Sequence, residues 1–153
     1  LRRQRQMCIR DRARTLPKGT LLVVTADHGM VDVGERIDVS QEPGLAEGVE
    51  LLAGEERALH VYTGDAARLA ERWRGILGGR ALVMTKDEAL GTGVFGRAGR
   101  RAYEAMGDVV SFQASNLSVV DGSLRPPGGA RMVGVHGSLT RQEMLVPLIV
   151  ETV

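Results

Sequence analysis

The stretch "TLLVVTADHGM", residues 20–30, decides how the rest of the chain is read. Residues 20–25 form a continuous apolar, partly β-branched run, the pattern of a strand buried on both faces of a parallel sheet. An acid and an imidazole, Asp27 and His28, follow at once, with Gly29 behind them. In open α/β sheets the loops at the C-terminal ends of strands are where sites assemble, so this position favours chemistry over a simple turn. A carboxylate oxygen and a neutral imidazole nitrogen together suit a divalent cation such as zinc, and Gly29 lets the backbone bend toward one. A capping Asp beside a buried, hydrogen-bonded His fits the same pair equally well, and spacing alone does not choose between them.

Upstream, the first twelve residues, "LRRQRQMCIRDR", carry five Arg, one Asp and the only cysteine, Cys8, with no helical or strand period. They resemble a translated sequencing-adapter tail and are set aside as non-native, with a basic arm as the alternative. Without them the formal charge changes from +1 to −3, so the basic face that nucleic-acid binding needs is not evident. Five aromatic residues are scattered along the chain, too few for stacking platforms. No apolar stretch reaches the roughly 20 residues of a membrane helix. With Cys8 discounted, any metal falls to His and carboxylates.

Downstream, residues 31–54 read as loop-rich with short apolar pieces. "ALHVYT" (58–63) alternates like a strand, and "ALVMT" (81–85) reads as another. Between them, Leu69, Trp73, Ile76 and Leu77 recur at helical spacing, with Asp65 as N-cap and Gly78 as stop, which makes a β-α-β unit. "KDEAL" begins a short helix, "DVVSFQAS" and "LSVVDG" read as a hairpin-like strand pair around Ser115 and Asn116, and "RPPGG" (125–129) is a loop. Near the end, residues 132–135 read as a strand, Thr140 and Glu143 fit a capping box, and "LVPLIVE" is a last strand that Pro147 confines to an edge or a strand start.

Three histidines are available. His60 lies inside an alternating strand and reads as an ordinary, partly exposed strand histidine. His28 and His136 both precede a glycine after an apolar run, in "ADHG" and "GVHG". "GTGVFG" (91–96) satisfies the dinucleotide-binding spacing but does not follow a strand directly, so it reads as a surface loop.

"LPKGTLLVVTADHGMVDV" and "VGVHGSLTRQEMLVPLIV" resemble the two C-terminal metal-binding motifs of the alkaline phosphatase superfamily, in its nucleotide pyrophosphatase/phosphodiesterase branch. The resemblance implies a mixed α/β fold, with residues 13–153 as the C-terminal part of one catalytic domain and a lobe at about 57–124 between the motifs. It implies that Asp27 and His28 bind one metal and His136 a second, most simply two zinc ions. The small-molecule substrate would be a phosphodiester or a nucleotide. The superfamily's Thr or Ser nucleophile lies in an N-terminal half that has no counterpart here, so no catalytic nucleophile is assigned and this piece alone is expected to be inactive. Thr25 belongs to the strand end, and Thr140 and Glu143 are explained by capping. A non-catalytic ligand- or partner-binding domain, and a phosphomutase or sulfatase branch, are the alternatives. Localisation and oligomeric state are left open.

Overall fold

The computed structural model describes residues 11–124 and 132–153. In chain order the strands are β1 (Leu21–Thr25), β2 (Val31–Asp32), β3 (Glu35–Asp38), β4 (Leu51–Glu55), β5 (Ala58–Tyr62), β6 (Ala81–Thr85), β7 (Val109–Gln113), β8 (Leu117–Val120), β9 (Gly134–Val135) and β10 (Leu148–Thr152). The helices are α1 (Pro43–Ala46), α2 (Ala66–Leu77), α3 (Lys86–Gly91), α4 (Arg100–Ala105) and α5 (Arg141–Met144). They fall into two units, one of residues 30–144 and the other joining the segment before residue 30 to residues 145–153.

In the larger unit, α2 starts where the Asp65 side chain accepts the Arg68 N–H at 3.1 Å, and it stops at Gly78, whose φ of +55° is open to glycine at little cost. Its buried stripe is Leu69, Ala70, Trp73 and Leu77, while Ile76 remains 39% exposed. The fully buried Trp73 satisfies its indole N–H on the Leu45 carbonyl at 3.0 Å, which seats α1 on α2.

The stripe covers one face of a four-stranded antiparallel sheet in the order β4-β5-β7-β6. Period-two alternation divides β7 between two cores: Val109 joins Trp73, and Val110 and Phe112 join Met84, Ala89 and Met106 on the opposite face. β5 and β6 are parallel to each other, as the β-α-β reading requires, but do not pair, because β7 lies antiparallel between them.

That insertion corrects the expected hairpin. Ser115 does adopt a left-handed φ of +46°, and Leu117 N–H closes the turn on the Ala114 carbonyl at 3.2 Å. Both edges of β7 are already taken by β5 and β6, however, so the chain leaves the sheet and β8 pairs in parallel with β3. Gly122 then sits against Asp38, which accepts its N–H at 2.9 Å.

In the smaller unit, β1 pairs with β10 in antiparallel register, from Leu21 opposite Thr152 to Thr25 opposite Leu148. Among the described residues the partner of β1 thus runs antiparallel, where a parallel one was expected, and Leu21 is 63% and Leu148 71% exposed in this chain. An apolar run specifies a strand without specifying the direction of its partner or what covers its faces. β10 begins directly after Pro147, which donates no ladder hydrogen bond. The "RPPGG" loop and residues 1–10 lie outside the described residues.

Candidate metal centre

β1 delivers Asp27 and His28 just beyond Thr25, its last paired residue, at the C-terminal end of the strand. Asp27 Oδ1 accepts the backbone N–H of His28 at 3.0 Å, which turns the carboxylate back toward the imidazole. His28 Nδ1 lies 2.7 Å from the Gly29 carbonyl oxygen. A carbonyl can only accept, so Nδ1 carries a proton, and it is only in the neutral ring that Nε2 then offers a lone pair.

Nε2 stands 3.6 Å from Asp27 Oδ2. For a neutral ring this sets two acceptors face to face, an arrangement that needs a proton or a cation between them. Zinc bonds of about 2.0–2.2 Å at a tetrahedral angle place two ligand atoms roughly 3.4 Å apart, close to the spacing seen. The backbone carbonyl that fixes the tautomer is the usual outer partner of a metal-binding histidine. Both side chains reach solvent, His28 36% exposed and Asp27 86%. The residues present therefore fit a divalent cation in donor type, spacing and tautomer.

His136 belongs to the larger unit. β2, which begins at Val31, pairs with β9 so that Val31 stands opposite Val135, the residue before His136. On the other side, Gly137 has a φ of +124°, and a Cβ there would stand 3.2 Å from Glu55 Cβ, so both conformation and space favour glycine. Ser138 follows, nearly buried, with its hydroxyl donating to the Gln113 carbonyl at 2.6 Å. Among the described residues, no three His, Cys, Asp or Glu side chains gather as a metal cluster. Two ligands for one ion and one for another complete neither site, since a catalytic zinc takes three protein ligands, so the remaining ligands would have to come from elsewhere.

His60 is the strand histidine it was expected to be, accepting the Gly107 N–H on Nδ1 at 3.1 Å with its ring beside Phe95. Burial, then the Lys86 charge, holds its pKa below the ordinary value. "GTGVFG" follows helix α3 and is exposed, which leaves no strand-to-helix turn for a pyrophosphate.

What sequence reasoning missed is Arg57. Its guanidinium is fully buried and forms a bidentate pair with Glu143, Nε to Oε1 at 3.0 Å and Nη2 to Oε2 at 2.7 Å. Nη1 donates to the Leu117 carbonyl at 2.5 Å and to that of Ala114 at 3.3 Å. Glu143 also accepts the Ser138 N–H at 3.0 Å and the Thr140 hydroxyl. Burial alone would raise the Glu143 pKa, but hydrogen bonds from Arg57, Thr140 and Ser138, with the Arg57 charge, bring it below the ordinary value. The Glu143 carboxylate thus bonds Arg57, the Ser138 N–H and the Thr140 hydroxyl where the expected capping box would have it accept the Thr140 backbone N–H, and nothing local in sequence links residues 86 positions apart.

The described fold is similar to that of several solved structures. Human ectonucleotide pyrophosphatase/phosphodiesterase 5 matches with a TM-score of 0.60 and 12% identity over 94% of this chain. Phosphonoacetate hydrolase from Sinorhizobium meliloti 1021, in complex with phosphonoformate, matches with a TM-score of 0.60 and 23% identity over 86% of this chain. The murine ectonucleotide pyrophosphatase/phosphodiesterase 5, as an inactive variant in complex with AMP, matches with a TM-score of 0.60 and 15% identity over 94%. The chain spans 36% of the length of each of these three. No protein-family model matches the chain, and no curated protein matches it by sequence. At these identities the likeness is one of fold, and the alkaline-phosphatase-like mixed α/β architecture implied by the two motifs is borne out.

Proposed function

We propose that this chain is part of a metal-dependent hydrolase of phosphodiester or nucleotide pyrophosphate bonds, with Asp27 and His28 holding one divalent cation and His136 a second. One observation carries the reading: the 3.6 Å approach of His28 Nε2 to Asp27 Oδ2, with the tautomer set by the Gly29 carbonyl. The fold likeness to a nucleotide pyrophosphatase/phosphodiesterase supports it. Zinc suits the donor set, and when bound it would neutralise phosphoryl charge and lower the pKa of a hydroxyl. The residues of this chain hold and orient the cations. The attacking hydroxyl is expected from polypeptide outside this chain, so the activity belongs to the longer protein. By analogy with the AMP complex of the murine neighbour, a nucleotide is a natural small-molecule substrate.

A phosphonate is the second reading, favoured by the 23% identity to phosphonoacetate hydrolase against 12% and 15% to the phosphodiesterases. One experiment separates them. The intact gene product is purified, its metal content measured, and its hydrolysis of a diester, a nucleotide pyrophosphate, a monoester and phosphonoacetate compared. Zinc at about two per chain with diester or pyrophosphate turnover supports the reading. Unchanged turnover in Asp27→Ala or His136→Ala would overturn it.

A further inference from the structure

From the buried pair at the foot of the His136 loop we infer that Arg57 and Glu143 are positioning residues for His136; the inference rests on the proposed metal role of that histidine. Three observations lead there. The pair is fully enclosed, with Arg57 0% and Glu143 3% exposed. Its carboxylate is shared with the loop, since Oε1 takes the Ser138 N–H as well as Arg57 Nε. Gly137, directly after His136, packs against the same turn: a Cβ added there would stand 3.6 Å from Arg57 Cβ and 3.2 Å from Glu55 Cβ.

Backbone is therefore held on both sides of His136. Val135 is fixed by its pairing with Val31, and Gly137–Ser138 by Glu143, Gln113 and the β4–β5 turn. A buried ion pair is a poor device for stability, because the cost of desolvating two charges roughly cancels their attraction, and apolar replacements are often as stable. Its distinctive property is direction: a planar fork meets a planar carboxylate in one geometry. Here that geometry sets where Ser138, and hence the His136 backbone, stands. Outer partners that orient a ligand commonly govern metal affinity by about 10–100-fold.

The test uses the intact gene product labelled with ¹⁵N-histidine, comparing wild type with Arg57→Met/Glu143→Leu. This double variant removes both charges together and leaves no unpaired buried ion. Two readouts are taken: the imidazole resonances of His136 in metal-free protein, with His60 as the control in the same unit, and zinc affinity. The expected result is broadened or split His136 resonances, unchanged His60 resonances and zinc binding weaker by about 10–100-fold. Arg57→Lys should not restore the wild-type spectrum, because an ammonium cannot make the bidentate contact. Glu143→Gln keeps the side-chain shape and gives the same readouts if the double variant fails to fold. An unchanged His136 spectrum in a folded variant overturns the inference. If the wild type binds no zinc, the proposed function falls, and the metal-free His136 spectrum still decides this one.

Discussion

His60 Nδ1 accepts the backbone N–H of Gly107 at 3.1 Å, tying β5 to the turn that leads into β7. The bond requires the imidazole to be neutral at Nδ1, in line with a pKa held down first by burial and then by the Lys86 charge. Protonation accordingly favours the unfolded chain. The contribution of His60 to stability is fully present above its ordinary value of about 6.5 and declines as pH falls from there toward the folded value. In Lys86→Met the His60 pKa should move up, while staying below the ordinary value because burial remains. Histidine NMR titration checks this, and no upward movement would remove Lys86 as a cause.

Gly107 is boxed in by backbone, since an added Cβ would meet Val61 N at 2.7 Å and His60 Cα at 2.9 Å. Gly107→Ala should therefore cost about 1–3 kcal/mol through overpacking that no side-chain motion relieves. Gly75, inside α2, has open space around it, and Gly75→Ala should stabilise by about 0.5–1 kcal/mol. Urea unfolding of the two variants should move the midpoint in opposite directions.

Removing one partner of the Arg57–Glu143 pair strands a buried charge. Arg57→Ala or Glu143→Ala should each destabilise by about 3–5 kcal/mol, and the double apolar replacement by distinctly less than their sum. A double-mutant cycle in denaturant measures the coupling. Simple additivity would mean that the pair does not act as a unit.

The same carboxylate gives an acid limit. Because the folded Glu143 pKa lies below its ordinary value, its contribution is present above that value, about 4.3, and is lost as pH falls through the folded pKa. Glu143→Gln should flatten the acid limb of the stability curve. An identical limb in wild type and variant would assign the acid sensitivity to other carboxylates.

Zinc should raise the melting temperature of the intact protein, and a chelator should reverse the effect. His28→Ala should lose most of that shift. A full zinc shift in this variant would remove His28 from the ligand set.

Much of this structure is legible locally. Asp65 and Gly78 bracket α2 because capping acts between near neighbours, and Thr85 with Glu88 forms a reciprocal cap at α3 for the same reason. Asp27 and His28 are adjacent, so their convergence needs only one turn of backbone. What sequence concealed depends on distant partners. The alternation of 109–122 reads as a hairpin because neighbouring strands usually pair, and only the occupation of both β7 edges diverts β8 to β3. β1 could be seen as a strand, but its antiparallel partner comes from the far end of the chain. Nothing in the residues around Arg57 marks it, because its carboxylate partner arrives 86 residues later.

The place of β7 also has a consequence for synthesis. When residues 58–85 have emerged, β5, α2 and β6 can form, yet a strand-wide gap separates β5 from β6 until Gln113 has been made. Until then Leu59, Val61 and Val83 have α2 on one side and open edges between them. Closure of this sheet is therefore a non-local event that waits on translation, and the interval before it is when the nascent chain is most exposed to mispairing or to a chaperone.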